Sequence, residues 1–97
     1  MSKFSIFVTV KVKPGTGADF RPIILENATA AVRDEPGCHI FHVMTSKDDA
    51  DIFHYFEVYT DEAALDAHRE YPHYKKYRLE ADEMIVDVAI QKADFLQ

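Results

Sequence analysis

The chain has 97 residues, enough for one small domain around one core, and it reads as a single domain over 1–97. Hydrophobic residues make up 47% of it, which excludes a disordered chain. The net charge of −6, with no cluster of Lys and Arg, argues against a nucleic-acid partner.

The elements follow in order. Phe4–Val12 alternates, with Phe4, Ile6, Val8, Val10 and Val12 on one face and Ser5, Phe7, Thr9 and Lys11 on the other, so it is a strand. No leader pattern precedes it, and no apolar run approaches the ~18 residues of a membrane span. A soluble, cytoplasmic protein with no membrane partner is expected. Pro14–Gly17 is a turn; a dinucleotide loop would need a third glycine where Phe20 stands. A helix follows over Ala18–Asp34. Pro22 has no backbone donor and belongs in a first turn, so Asp19 is the expected N-cap. The apolar face of this helix runs through Phe20, Ile23, Ile24 and Ala31, and Asn27 falls on it as a polar anomaly.

Glu35-Pro36-Gly37 closes the helix, and Cys38–Ser46 is a second strand. Its alternation puts His39, Phe41 and Val43 on one face and Ile40, His42 and Met44 on the other. Cys38 is the single cysteine, so no internal disulfide forms; it reads as a small, partly buried residue. Lys47–Asp51 is a hairpin loop and Ile52–Tyr59 a third strand. Thr60 is the expected cap of a helix from Asp61 to Glu70, and Pro72 opens a second helical piece to Ala81. Met84–Lys92 is the last strand, with Met84, Val86, Val88 and Ile90 on one face; Ala93–Gln97 reads as an arm.

The order β-α-β-β-α-β predicts a ferredoxin-like α+β sandwich: a four-stranded antiparallel sheet with helices on one face. Both sheet faces carry apolar residues, and the helices cover only one. A second copy is the simplest cover for the other, so a homodimer with facing sheets, an α+β barrel, is expected. The uniformly apolar row Phe4/Ile6/Val8/Val10/Val12 suits that interface. The mixed row with Phe7, and Glu57 among Phe53, Tyr55 and Tyr59, suits a pocket wall.

Five side chains in Phe56–Tyr74 can bind or transfer protons: Glu57, Tyr59, His68, His73 and Tyr74. The break at Pro72 can turn His73 back toward the sheet, so both imidazoles could reach one pocket. Imidazole titrates near neutrality and is the usual proton-transfer group. No metal is expected, because the five histidines form neither a helical H-x-x-x-H pair nor a Cys/His cluster. No flavin, nicotinamide or P-loop fingerprint is present, so no cofactor is expected either.

Asn27, Glu35-Pro36-Gly37-Cys38, Phe41, Phe56-Glu57-Val58-Tyr59, Ala64, His68 and Pro72-His73-Tyr74, in this order and spacing, resemble the antibiotic biosynthesis monooxygenase family. Pro72–Lys75 most resembles the branch of the enzyme that processes phosphorylated autoinducer-2. Quinol monooxygenases share the Glu-Pro-Gly and Glu-x-aromatic elements. The resemblance implies a dimeric barrel with a pocket between sheet and helices. It implies oxidation of a small electron-rich aromatic or quinol by O2, without metal or flavin. His73 or His68 would be the base; Asn27, Tyr59 and Tyr74 would orient oxygens; Phe7 and Phe41 would be wall residues. The alternatives are an isomerase or degrading enzyme for a small phosphorylated carbonyl compound, with Lys11, Lys75 or Lys76 for the phosphate, and a non-catalytic small-molecule-binding dimer. Haem-degrading relatives place a Trp where this chain has Tyr59, which argues against haem use.

Overall fold

The computed structural model describes residues 2–97. Seven elements run in the order β1 (Lys3–Val12), α1 (Gly17–Asp34), β2 (Cys38–Thr45), β3 (Ile52–Tyr59), α2 (Glu62–His68), α3 (Pro72–Ala81) and β4 (Ile85–Phe95). The strands form one antiparallel sheet in the order β2-β3-β1-β4. This is the expected ferredoxin-like arrangement. No helix among the described residues is long and apolar enough to cross a membrane.

Alternation decides which residues face the helices; the mixed row of β3 faces them as expected, but the assignment of β1 is the reverse of the one expected. Ile6, Val8, Val10 and Val12 share the core with Phe20 and Ile24 of α1, Leu65 of α2 and Tyr77 and Ala81 of α3. They stand in register with the mixed row of β3: Ile6 opposite Glu57, Val8 opposite Tyr55, Val10 opposite Phe53. The physical reason is burial. Only an entirely apolar row can fill the centre of a sheet packed under helices without stranding polar groups. The tolerance for polar groups lies in β3, beside the cavity.

The other face has no helix over it. Phe7 is 39% exposed there and stacks on His54, whose Nδ1 lies 3.0 Å from Thr9 Oγ1. Phe56 packs on Phe95, and Met44 is 42% exposed.

Local chemistry moved several boundaries. The Asp51 carboxylate accepts from the Gly15 and Gly17 amides at 3.0 and 2.9 Å, which caps α1 from the hairpin loop. The helix therefore starts at Gly17 and not after Asp19, and Pro22 lies inside it. Gly17 is required: a Cβ there would fall 2.0 Å from the Ala50 carbonyl oxygen. Asp61, not Thr60, caps α2, accepting from the Ala64 amide at 2.9 Å.

Two register shifts break the expected alternation. One falls between Cys38 and Ile40, so Cys38 shares the Phe41 face and His39 is exposed. His39 Nε2 lies 2.8 Å from Thr60 Oγ1. The other shift puts Ile85 opposite Val12, and Ile85 rather than Val86 joins Val88 and Ile90. The expected arm is largely strand: β4 pairs with β1 out to Lys3–Phe95.

Candidate active site

A cavity of about 560 Å³ lies between the sheet and the helices. Its floor is Ile6 and Val8 of β1, Phe41 of β2, and Tyr55 and Glu57 of β3. Asn27 enters from α1, Leu65 and His68 from α2, Tyr74 and Tyr77 from α3. Ile85, Val88 and Ile90 of β4 form the outer wall, and Arg69, Arg78 and Asp82 stand at the mouth. Apolar walls with a few convergent polar groups are the usual make-up of a small-molecule site.

The polar groups are buried and not interchangeable. Asn27 is 2% exposed, and its Oδ1 has no hydrogen-bond partner in the described protein. An orphan acceptor costs about 1–3 kcal/mol, so a ligand donor is a natural partner for it. Glu57 is buried, and Tyr59 donates to its Oε1 at 2.6 Å. Burial pushes the Glu57 carboxyl up to about 7, against the opposing pull of the Tyr59 hydrogen bond and Arg69. Burial likewise raises the Tyr59 and Tyr55 phenols, so both stay protonated. The Tyr55 and Tyr77 hydroxyls are 3.0 Å apart.

His68 is 2% exposed. Burial lowers its pKa, opposed by Glu35, so the neutral imidazole is favoured at neutral pH. Nδ1 lies 2.6 Å from Glu35 Oε2. The neutral ring donates Nδ1–H to that carboxylate and keeps Nε2 as a proton acceptor. Tyr74 sits edge-on to His68, its centroid 5.1 Å away, and its hydroxyl accepts from Arg78 at 2.9 Å.

Glu35 is the residue that sequence reasoning missed. It read as a helix terminator, yet its side chain is 3% exposed and reaches both histidines. The Pro36-Gly37 turn places it. A Cβ on Gly37 would come within 2.7 Å of Ala64 Cβ, so only glycine lets this turn lie against α2. His73 Nε2 bonds the same Glu35 oxygen. The Pro72 break, which in sequence separates the two histidines, folds them onto one carboxylate.

Glu35, His68 and His73 have donor atoms within 4.8 Å of one another, a group that could hold a metal ion. The spacing fits hydrogen bonds better. Two ligands on one ion at 2.0–2.1 Å stand about 3 Å apart, whereas His68 Nδ1 and Glu35 Oε2 are 2.6 Å apart.

The other candidates divide. Asn27, Phe41, Glu57, His68 and Tyr74 line the cavity. Tyr59 stands behind Glu57. His73 faces a separate groove with Glu26, Arg33, Asp34 and Tyr71. Phe7 is a correction: it projects from the uncovered face because β1 presents its even-numbered residues to the helices. Cys38 is buried and its thiol is pushed up to about 12, which keeps it protonated.

The antibiotic biosynthesis monooxygenase family model matches residues 4–79. The chain belongs to that family. Among solved structures, it is similar to the "putative monooxygenase" of Lactobacillus acidophilus NCFM at 27% identity and a TM-score of 0.89. That match covers 94% of this chain and 43% of that one, so the chain spans less than half of that relative. Rv0793 of Mycobacterium tuberculosis matches at 28% identity and a TM-score of 0.85, over 99% and 97% of the two chains. The "putative antibiotic biosynthesis monooxygenase" of Bacteroides thetaiotaomicron VPI-5482 shares the fold, with a TM-score of 0.92 at 23% identity, over 99% and 91%. No protein of curated function matches the chain. Family membership supports an oxidoreductase of the monooxygenase type in general terms.

Proposed function

We propose that this family member oxidises a small electron-rich phenol or quinol with O2, using His68 as the base. One observation carries the reading: a neutral histidine, held by a buried carboxylate, and an unpartnered amide oxygen line one aromatic chamber. A phenol ring fits against Phe41, Tyr55 and Tyr74. Its hydroxyl gives its proton to His68 Nε2, and a hydroxyl elsewhere on the ring donates to Asn27 Oδ1. The phenolate is electron-rich enough to reduce O2 directly, forming a carbon–oxygen bond at the ring. Loss of water from the hydroperoxide gives a quinone. Phenol and O2 become quinone and water, and the substrate supplies all four electrons. Glu57, protonated up to about pH 7, is placed to give the leaving hydroxyl its proton.

The open sheet face supports a homodimer as the working form. Phe7 and Met44 are about two-fifths exposed beside His54 and Phe56, and an apolar face of this kind is stable when covered.

One observation favours a second reading, an enzyme acting on a phosphorylated carbonyl compound: Arg69 stands at the cavity mouth with Arg78, which pairs with Asp82 at 2.7 Å. The lysines first considered for the phosphate do not. Lys75 and Lys76 pair with Glu70 and Glu26, and Lys11 lies on the open face. Oxygen uptake with a panel of hydroquinones and naphthohydroquinones, corrected for spontaneous oxidation, separates the readings. Enzyme-dependent uptake supports the monooxygenase. No uptake, with turnover of a phosphorylated hydroxyketone, supports the second reading. Binding without turnover of either class leaves a binding module.

A further inference from the structure

We infer that Glu35 and His73 form a support behind His68 in which His73, outside the cavity, sets how much of the Glu35 charge is available to the base. This rests on the reading of His68 as the base. The three side chains form a compact cluster between the cavity and a second groove, the two imidazole centroids 5.9 Å apart. His68 is in the cavity wall, Glu35 is buried between, and His73, its side chain 12% exposed, opens onto the groove of Tyr71 and α1. Both imidazoles bond one oxygen of Glu35, Oε2, so they compete for the same charge.

A base that accepts a proton becomes an imidazolium, and a buried imidazolium needs a counter-charge. Glu35 supplies it and fixes the Nδ1–H tautomer, the role a carboxylate plays behind a catalytic histidine. The Glu35 backbone is fixed at the end of α1, its amide bonded to the Ala31 carbonyl at 3.0 Å, and its buried carboxylate is held by both imidazoles. His73 is the remaining variable. When it is protonated, part of the Glu35 charge is committed to it and His68 is a weaker base. When it carries no charge, its Nε2–H still donates to Oε2, but it no longer offsets the Glu35 charge that supports His68.

The groups around His73 are few. Glu35 and His68 face it from within, and the Tyr71 ring centroid is 5.2 Å away. Arg33, Asp34 and Glu26 of α1 share the groove. Arg33 is committed to Asp34 at 2.8 Å, and Glu26 to Lys76 at 2.6 Å. This leaves Glu35 as the dominant partner of His73. His73 is a positioning residue: it touches neither the cavity nor a substrate.

The test is an imidazole NMR titration of the full chain, which needs no substrate. In His73→Gln the His68 midpoint moves up by about one pH unit, because the ring that competes for Glu35 and lowers His68 is gone. In Glu35→Gln it moves down. His42→Gln, on the exposed side of β2, leaves it unchanged. An unmoved His68 midpoint in a folded His73→Gln protein overturns the inference, as does stoichiometric Zn²⁺ binding that each of Glu35→Gln, His68→Gln and His73→Gln abolishes. The pH dependence of kcat/KM with a hydroquinone then tests the underlying reading separately. If His68 is the base, the acidic limb moves by the same amount as the NMR midpoint. A moved midpoint with a fixed acidic limb removes His68 as the base and leaves the coupling intact.

Discussion

The two faces of the sheet invert the usual distribution of polarity. On the covered side the buried polar side chains Asn27, Glu57 and His68 line a cavity, with buried Glu35 behind His68. The uncovered face presents Phe7, Met44, Phe56 and His54 toward solvent. Buried polar groups without partners, such as Asn27 Oδ1, cost stability, and exposed aromatic groups cost solubility. On the proposed reading, a chain that carries both trades them for chemistry on one side and association on the other. The difference teaches where to look. Unsatisfied polarity marks the proposed reaction site, and unsatisfied apolarity marks the proposed contact with a second copy.

The sharpest way to break this contrast is on the covered side. His68→Ala should lower kcat/KM for an oxidised quinol about a hundred- to ten-thousand-fold, the usual contribution of a positioned base, with little change in secondary structure by circular dichroism. An equal loss in Phe7→Lys would mean that the faces do not divide the work. That variant instead tests the open side. Burying a lysine in a sheet-to-sheet interface should weaken self-association about a hundredfold in sedimentation velocity, with turnover per folded site changed far less. A wild-type monomer at micromolar concentration would remove the association half of the comparison.

Smaller effects measure what the cavity costs. The Glu57 carboxyl is raised from 4.5 to about 7, so the folded state holds a proton that the unfolded state has lost between those values. Its contribution therefore falls as pH rises through that window and stays low above it. Glu57→Gln should be more stable than the native chain by roughly 3 kcal/mol at pH 8, with no advantage near pH 4, by urea denaturation. The same variant should lose the basic limb of its pH–rate profile. Asn27→Leu removes an orphan acceptor and should raise stability by about 1 kcal/mol while weakening quinol binding. Asn27→Leu binding as tightly as the native chain would show that the orphan amide is not a ligand group.

Much of the architecture is written locally. Alternation in Phe4–Val12 and Ile52–Tyr59, the start of α3 at Pro72 and the end of α1 before Pro36 are each decided by neighbouring residues. Asn27 and His68 stood out for the same reason, as polar side chains where a helix needs apolar ones or at a helix end. What was hidden depends on distant partners. Glu35 sits in an ordinary helix-ending turn, and nothing nearby tells that its carboxylate is buried between two histidines. The face of β1 that meets the helices depends on its register with β3. The slips at His39 and Val86 come from pairing with neighbouring strands, which alternation along one strand does not record. The cap of α1 comes from Asp51, more than thirty residues away.

The central position of β1 has a consequence for how the protein is made. β1 is hydrogen-bonded on one side to β3 and on the other to β4, with Lys3 opposite Phe95. The strand synthesised first thus receives its second neighbour last. Until then a nascent chain can assemble β1, β2 and β3 under α1, but it leaves a row of unpaired amides along β1 and the cavity without its outer wall. Completion of the fold and closure of the chamber are one late event, governed by the longest loop the chain must close. A ribosome-bound chain lacking β4 should accordingly be captured by strand-binding chaperones, and the capture should end as β4 emerges.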